Sequence, residues 1–175
     1  PNSNILDLGC GTGLELEEYF KLNPSAMVTG IDIAPGMLGA LTEKFTDKNI
    51  TLILGSSFDV QFAEECFDAA VSVESLHHYT KEEKLPLYSK VCRSLKAGGC
   101  FILTDYFAHS DEEEGKFRDE LLQLKREQHI NDDELYHFDT PLTTEHEIEA
   151  LSEAGFSKIE VLRAWGATHI IRAEK

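Results

Sequence analysis

The chain has 175 residues, of which 42% are hydrophobic, and its 16 basic and 32 acidic residues give a formal net charge of −16. This apolar fraction can fill a core, so the composition excludes a disordered acidic tail, and the length fits one domain of ordinary stability. The surplus of acids argues against nucleic acid as the main partner, because binding to a phosphate backbone requires a basic surface.

The sequence contains no pattern typical of a membrane segment or a metal site. Its longest apolar runs have the length of strands, and its start does not resemble a secretory signal. The four cysteines are scattered without a C-x-x-C pair, which favours reduced thiols and a cytoplasmic location. His137 and His146 flank Pro141 without metal-ligand spacing to any cysteine, so no bound metal is predicted.

Strand-sized apolar runs alternate with segments of helical period between residues 4 and 105. This order is typical of β-α-β units and a parallel sheet. The capping-box patterns Thr12-x-x-Glu15 and Thr80-x-x-Glu83 predict where two of the intervening helices begin. The predicted strands are Asn4–Leu8, Met27–Asp32, Ile50–Leu54, Phe67–Val73 and Cys100–Asp105.

An acidic segment follows the fifth strand. Residues 109–140 contain eleven acidic and four basic residues around a helical pattern of Phe117, Leu121 and Leu124. The pattern predicts an inserted helix whose outer face is solvated and acidic.

The end of the chain predicts one more helix and two more strands. A Thr144-x-x-Glu147 pattern predicts a helix that ends near Gly155. Two strands are predicted at Lys158–Arg163 and Thr168–Ala173. The four residues between them are too few for a crossover helix, so these strands must be antiparallel neighbours.

A buried strand, a glycine-rich loop and a helix follow one another from residue 5, where the sequence reads ILDLGCGTG. Glycine allows a sharp turn and lets a ligand approach the backbone closely. The second strand ends at Asp32, nineteen residues after Gly13. This spacing places a carboxylate beside the loop, where it accepts hydrogen bonds from ribose hydroxyls. An adenosine-containing cofactor therefore fits the pattern better than a bare phosphate.

Five ordered segments resemble the motif series of class I S-adenosylmethionine-dependent methyltransferases: ILDLGCGTG, VTGIDIAPGML, LILGSSFDVQF, FDAAVSVESLHHY and LKAGGCFILTDY. The resemblance covers about residues 4–106 and extends to that family's terminal antiparallel hairpin. It implies a Rossmann-like, doubly wound α/β fold in three layers, with a seven-stranded, mostly parallel sheet whose C-terminal strand is antiparallel. Residues 1–175 are expected to form a single methyltransferase domain with an acidic insertion at about 109–140, without the N-terminal cap helices that similar enzymes usually carry.

The same resemblance implies roles for residues at the glycine loop and the second strand. Asp7 is expected near the ammonium group of S-adenosylmethionine. The backbone of Gly9, Cys10 and Gly11 is expected under the methionine and ribose portions, and Asp32 is expected to hold the ribose hydroxyls.

Further implied contacts concern adenine and the methyl donor. Ile33 and Met37 are expected to pack on adenine, Ser57 and Phe58 to contact its edge, and Glu74 to line the donor. Met37 has a second interpretation as a core residue, because residues 37, 41 and 45 recur at helical spacing. The family often carries an acid directly after the glycine of the third motif; this chain has serine there, so serine or backbone would replace a charged contact to adenine.

Methyl transfer from a sulfonium is an in-line displacement, so alignment of donor and acceptor contributes much of the catalysis. A base is needed only when the acceptor must lose a proton. His77, His78 and Tyr106, near the carboxyl ends of the fourth and fifth strands, are the candidate catalytic residues. Adjacent histidines cannot both point into one pocket from a regular element. The alternative is a loop-to-helix junction in which one ring packs and the other is solvated.

The predicted function is methyl transfer to a small molecule, with neither a nucleic acid nor a membrane as partner. Residues 110–139 are expected to act as a lid whose charge favours a cationic or neutral acceptor, or else to form a solvated helix without a substrate role. Two other functions stay open. One is a nicotinamide-dinucleotide oxidoreductase, against which Asp7 and the G-x-G-x-G spacing count. The other is a binding module that keeps the cofactor without catalysing.

Overall fold

The computed structural model describes residues 2–131, 134 and 136–175, and it contains seven strands and five helices in those residues. The strands are β1 (Asn4–Leu8), β2 (Met27–Asp32), β3 (Asn49–Leu54), β4 (Phe67–Val73), β5 (Leu95–Tyr106), β6 (Ser157–Trp165) and β7 (Thr168–Glu174). The helices are α1 (Leu14–Leu22), α2 (Pro35–Lys44), α3 (Lys81–Ser94), α4 (Asp111–Glu127) and α5 (Thr144–Glu153). None of these helices is both long enough and apolar enough to cross a membrane.

All seven strands belong to one sheet, in the order β3-β2-β1-β4-β5-β7-β6. Neighbouring strands from β3 to β5 are parallel, and β7 runs antiparallel to both β5 and β6. The predicted fold class is therefore confirmed, including the reversed C-terminal strand. β1, β2 and β4 have the predicted bounds, whereas β5 begins five residues earlier than predicted, at Leu95.

The two faces of the sheet carry separate apolar clusters because alternate residues of a strand point to opposite faces. Ile5 of β1 packs in a cluster with residues of α1 and α2, including Leu16 and Leu41. The next residue, Leu6, belongs to the larger cluster that contains Tyr88 of α3. Helices therefore cover both faces, which gives the three predicted layers.

The structure corrects two predicted helix starts. α1 begins after Gly13, whose φ of 69° is left-handed, and no side chain caps it, so the predicted Thr12-x-x-Glu15 capping box is wrong. The glycine turn, rather than a threonine, ends the loop there. Thr143, and not Thr144, caps α5 by accepting a hydrogen bond from the His146 N–H. The capping box predicted at Thr80 is confirmed.

A buried ion pair joins α3 to α5. Lys84 Nζ lies 2.6 Å from Glu147 Oε2, and their side chains are 2% and 1% exposed. The Tyr88 hydroxyl donates a further hydrogen bond to the same carboxylate. Because a buried charge is tolerated only with partners, these contacts fix how α3 packs. α3 follows directly on the turn that carries the two adjacent histidines.

The carboxyl ends of β1, β2, β4 and β5 lie along one edge of the sheet, because these strands are parallel. The chain moves outward from β1 to β3 on one side, and then from β4 to β5 on the other. The crevice between the ends of β1 and β4 is thus the switch point of the strand order, where ligands of open α/β sheets bind.

Candidate active site

A cavity of about 340 Å³ opens at this switch point. It extends from the loop after β1 to the turn before α3, and His137 of the segment after α4 also lines it. Nine of the residues predicted from the sequence line the cavity: Gly9, Gly11, Asp32, Ile33, Met37, Ser57, Phe58, Glu74 and His78.

The glycine loop owes its shape to left-handed backbone. Gly9 and Gly11 have φ values of 70° and 50°, a region that glycine adopts without steric cost. A Cβ on Gly9 would lie 2.5 Å from the Cβ of Ser75, whereas one on Gly11 would meet nothing closer than 4.0 Å. The backbone after β1 therefore passes directly against the turn after β4, and Gly9 is required by both conformation and space.

The Asp32 carboxylate is fixed at the end of β2 by two backbone donors. Its Oδ2 accepts from the Gly11 N–H at 2.9 Å, and its Oδ1 accepts from the Ala34 N–H at 2.8 Å. A carboxylate offers about four acceptor positions. Each oxygen therefore keeps capacity for another donor, and the carboxylate lies in the cavity wall with its orientation already set.

Two acidic side chains near the glycine loop lack hydrogen-bond partners for one oxygen each. Asp7 is 1% exposed, and neither its Oδ2 nor the Oε1 of Glu15 has a hydrogen-bond partner among the described residues. Burial raises the pKa of Asp7 well above its ordinary value of 3.8, and the nearby Glu15 carboxylate raises it further. A cation beside this pair would satisfy both oxygens. Sequence reasoning assigned Glu15 to a helix cap and so missed it.

Apolar side chains are exposed along one wall of the cavity. Ile33 is 65% exposed and Met37 is 48% exposed, so Met37 is not the core residue that its helical spacing also suggested. Phe58, on the loop that follows β3, packs against Tyr79 with 4.3 Å between ring centroids. Lys90 holds that loop, since its Nζ donates to the carbonyls of residues 57, 58 and 60. A planar ligand can pack against this wall.

Glu74, directly after β4, has a left-handed φ of 50°. Such a conformation is uncommon in residues other than glycine, and it concentrates at functional sites. Glu74 also interacts with the hydroxyl of Tyr106, whose pKa is raised mainly by the Glu74 charge. Glu74 lines the cavity, and Tyr106 lies beside it at the carboxyl end of β5.

The three candidate catalytic residues lie together. The His77 ring is 4.0 Å from the His78 ring and 5.1 Å from the Tyr106 ring, measured between centroids. His77 is buried and its Nδ1 lies 2.5 Å from Asp105 Oδ1, whereas His78 lines the cavity. One ring is thus packed and the other reaches the pocket. Burial lowers the pKa of His78, and the neighbouring imidazoles lower it further.

Four predicted residues do not line the cavity directly: Asp7, Cys10, His77 and Tyr106. The Cys10 side chain packs in the core below Gly30, and burial raises its thiol pKa. The sequence prediction used only its backbone, and that N–H already donates to the Ile31 carbonyl at 3.1 Å. All four cysteines have free thiols.

The cavity residues that sequence reasoning missed include Ser75, Tyr79 and His137. Ser75 and Tyr79 flank the histidine pair in the turn after β4, so the prediction of the two histidines could have been extended to them. His137 is distant in sequence from every motif. Of the predicted insertion at 109–140, residues 132, 133 and 135 lie outside the described residues.

A doubly wound sheet with a glycine loop after β1 and a pinned carboxylate after β2 defines an α/β domain that binds a ribose-containing cofactor at its switch point. A model of the family described as "Methyltransferase domain" matches residues 5–99, more than half of the chain. The chain therefore belongs to the class I S-adenosylmethionine-dependent methyltransferase family. The alternative of a nicotinamide-dinucleotide oxidoreductase is thereby set aside.

Curated relatives include the biotin biosynthesis bifunctional protein BioHC of Teredinibacter turnerae, 36% identical over 109 residues. Another is the tRNA (carboxymethyluridine(34)-5-O)-methyltransferase of Arabidopsis thaliana, 31% identical over 111 residues. The alignments cover 57% and 63% of this chain, but the chain spans only 19% and 26% of those proteins. The fold of an S-adenosylmethionine-dependent methyltransferase from Mesorhizobium loti is similar, with a TM-score of 0.73 at 18% identity, covering 99% of this chain and 91% of that one.

Proposed function

We propose that this chain transfers the methyl group of S-adenosylmethionine to a small-molecule acceptor at the His78 and His137 end of the cavity. The observation that carries the proposal is the continuity of one cavity from Asp32 to these two histidines. When bound, the cofactor supplies an electrophilic methyl carbon, and transfer forms the acceptor–carbon bond as the carbon–sulfur bond breaks with its electron pair left on sulfur. The residues of this chain bind and align the two partners.

The chemistry of the cavity fits this cofactor. The partnerless oxygens of Asp7 and Glu15 suit its ammonium group, and the fixed Asp32 carboxylate suits the ribose hydroxyls. The exposed apolar surfaces of Ile33 and Met37 suit the adenine ring. Gly9 and Gly11 allow the backbone to approach the methionine portion. Ser57, Phe58 and Glu74 lie in the cavity wall, which supports the proposed contacts of the first two with the adenine edge and of Glu74 with the methyl donor.

The charge of the chain favours a neutral or cationic small molecule over a nucleic acid. The formal net charge is −16, and the first turn of α4 carries four acidic residues, Asp111 to Glu114. A polyanion would be repelled by this surface. His137 follows α4 and lines the cavity, which supports a lid role for the acidic segment. Since curated relatives include a tRNA methyltransferase, tRNA is the alternative that an experiment must exclude.

Incubation with methyl-labelled S-adenosylmethionine tests the acceptor class directly. The chain is offered either the small-molecule fraction of a cell extract or the purified tRNA fraction. We expect label to accumulate in the small-molecule fraction only, and an Asp32→Asn variant supplies the background. Label confined to tRNA would contradict the proposed acceptor class while leaving the methyltransferase activity intact.

Replacement of Asp32 by Asn tests the proposed ribose site. The amide removes the charge and turns an N–H toward the Gly11 or Ala34 donor. Hydrogen bonds to a charged group contribute about 1.5–3 kcal/mol, so we expect roughly 10-fold to 150-fold weaker binding of S-adenosylmethionine and of its demethylated product. Calorimetric titration measures both. Asp47→Asn, an exposed change on the chain surface, is the control, and equal affinities in the two variants would refute the ribose placement.

A further inference from the structure

Two histidines and one aspartate from distant parts of the chain converge beside the methyl-donor cavity. One ligand atom from each of His77, His78 and Asp139 lies within 4.8 Å of the others. Among the described residues, these three side chains are close enough together to bind one metal ion. Asp139 Oδ1 is 3.5 Å from His77 Nε2 and 3.1 Å from His78 Nδ1. We propose that these three residues bind a divalent transition-metal ion.

The distances suit one ion. Metal bonds to imidazole nitrogen and carboxylate oxygen of about 2.0–2.2 Å place neighbouring ligand atoms about 2.9–3.5 Å apart at tetrahedral or octahedral angles. Both measured separations to Asp139 Oδ1 agree with this range. The two imidazoles are already adjacent, with 4.0 Å between ring centroids. The ligand atoms of the two histidines lie within 4.8 Å of each other, so small side-chain adjustments bring all three atoms to a common ion.

The surroundings of His77 prepare it to act as a ligand. Its Nδ1 lies 2.5 Å from Asp105 Oδ1, and the carboxylate also accepts the N–H groups of Leu76 and Tyr106. Because the carboxylate accepts, Nδ1 carries the ring proton, and Nε2 presents its lone pair toward Asp139. A carboxylate behind a histidine in this way orients the ring and raises its basicity in metal sites.

The backbone holds the third ligand in place. The Thr140 N–H donates to the His77 carbonyl at 2.8 Å, which ties the residue after Asp139 to the histidine turn. The Phe138 carbonyl is 3.4 Å from His78 Nδ1, at the long limit of a hydrogen bond, so an ion that binds this nitrogen would replace only a weak contact. The Asp139 side chain is 63% exposed. The site therefore keeps open coordination positions toward solvent and the cavity.

Two imidazoles and one carboxylate favour ions of the zinc, cobalt(II) and iron(II) type over magnesium or calcium, which prefer oxygen ligands. Three protein ligands leave positions for water or substrate. Sequence spacing predicted no metal, because Asp139 lies 62 residues from His77 and shares no motif with it.

A bound ion with free coordination positions would affect which acceptor is methylated, a consequence that rests on the proposed function. An acceptor hydroxyl bound to the ion loses its proton to water more readily, as the ion stabilises the resulting oxygen anion. That oxygen then forms the bond to the methyl carbon as the carbon–sulfur bond breaks and its electron pair stays on sulfur. The site thus favours acceptors that are methylated on oxygen.

Cobalt(II) titration of metal-depleted protein tests the site without an acceptor or a cofactor. We expect one saturable equivalent with the visible absorption of a histidine-ligated ion, displaced by Zn²⁺ but not by equimolar Mg²⁺. Asp139→Asn and His78→Asn should weaken Co²⁺ binding at least about tenfold. The matched controls, Asp47→Asn and His129→Asn, change exposed residues outside the cluster and should leave binding unchanged.

The proposal is overturned if the protein binds no Co²⁺ saturably, if Asp139→Asn binds it with unchanged affinity, or if the controls lose affinity equally. Asp139 is exposed, so its variant is expected to fold, and a thermal melt verifies this. Titration of S-adenosylmethionine into the metal-free protein tests the proposed function separately. Cofactor binding without Co²⁺ binding would refute the metal site alone. Co²⁺ binding without cofactor binding would refute the proposed cofactor site alone.

Discussion

Replacement of Asp7 by Asn is expected to raise the thermal stability of the cofactor-free protein while weakening its affinity for S-adenosylmethionine by roughly 30-fold to several thousand-fold. The affinity estimate follows from the loss of about 2–5 kcal/mol when one partner of a buried charge pair is removed. Stability rises because Asp7 is 1% exposed, has a partnerless Oδ2 and adjoins a second acid, Glu15. An amide carries no charge to desolvate, and it can donate to Glu15.

The pH dependence of this effect has a defined sign. The folded-state pKa of Asp7 lies well above the ordinary value of 3.8, chiefly through burial and then through Glu15. Between these two values the folded protein holds a proton that the unfolded chain releases. The stabilising contribution of the protonated carboxyl is therefore fully present below pH 3.8 and is lost as the pH rises through the folded value. We expect the melting temperature of Asp7→Asn to exceed that of the original chain increasingly as the pH rises from 3.8 toward the raised folded-state pKa of Asp7.

At a pH between 3.8 and the raised folded-state pKa of Asp7, cofactor binding should also release a proton from this carboxyl group. A neighbouring ammonium group favours the ionised carboxylate, so calorimetry in two buffers of different ionisation enthalpy should detect proton release in the original chain and not in Asp7→Asn. Glu17→Gln, an exposed change on α1, is the control. A variant that melts lower than the original chain at pH 8, or that binds S-adenosylmethionine equally well, would contradict the role assigned to Asp7.

The sequence predicts the parts of this molecule that depend on local patterns. β1, β2 and β4 are short apolar runs bounded by turn residues, and their predicted bounds agree with the structure. The reversed last strand follows from a connection that is too short for a crossover. Asp32 was placed correctly because its distance from the glycine loop is fixed by one β-α-β unit.

The rest depends on contacts between distant segments. In the sequence, Glu15 is consistent both with a helix-capping residue and with a neighbour of Asp7. The left-handed turn at Gly13, which starts α1 without a side-chain cap, decides in favour of the second role. The pairing of His77 with Asp105 depends on the register of β4 against β5. Asp139 lies between α4 and α5, and no spacing rule connects it to the histidines. Functional sites of this kind are set by tertiary packing.

Replacement of Gly9 by Ala is expected to lower the free energy of unfolding by about 2–5 kcal/mol. A left-handed backbone costs about 1–2 kcal/mol once a Cβ is present, and the φ of Gly9 is 70°. The added Cβ would also lie 2.5 Å from Ser75 Cβ and 2.6 Å from Ser75 Oγ. Forcing extra atoms into such a contact costs about another 1–3 kcal/mol. The loop would have to move, and S-adenosylmethionine affinity should fall with stability.

Gly11→Ala separates the two causes, because Gly11 has a φ of 50° but its added Cβ meets no atom closer than 4.0 Å. This variant should lose only about 1–2 kcal/mol, the cost of the left-handed backbone. A double-mutant cycle with Ser75→Gly isolates the contact, since the serine also bonds Ser72 and the Leu8 carbonyl. In that cycle Gly9→Ala should cost about 1–3 kcal/mol less when residue 75 is glycine. Urea denaturation measures all five proteins, and equal losses at Gly9 and Gly11 would show that the approach of the two loops does not constrain this backbone.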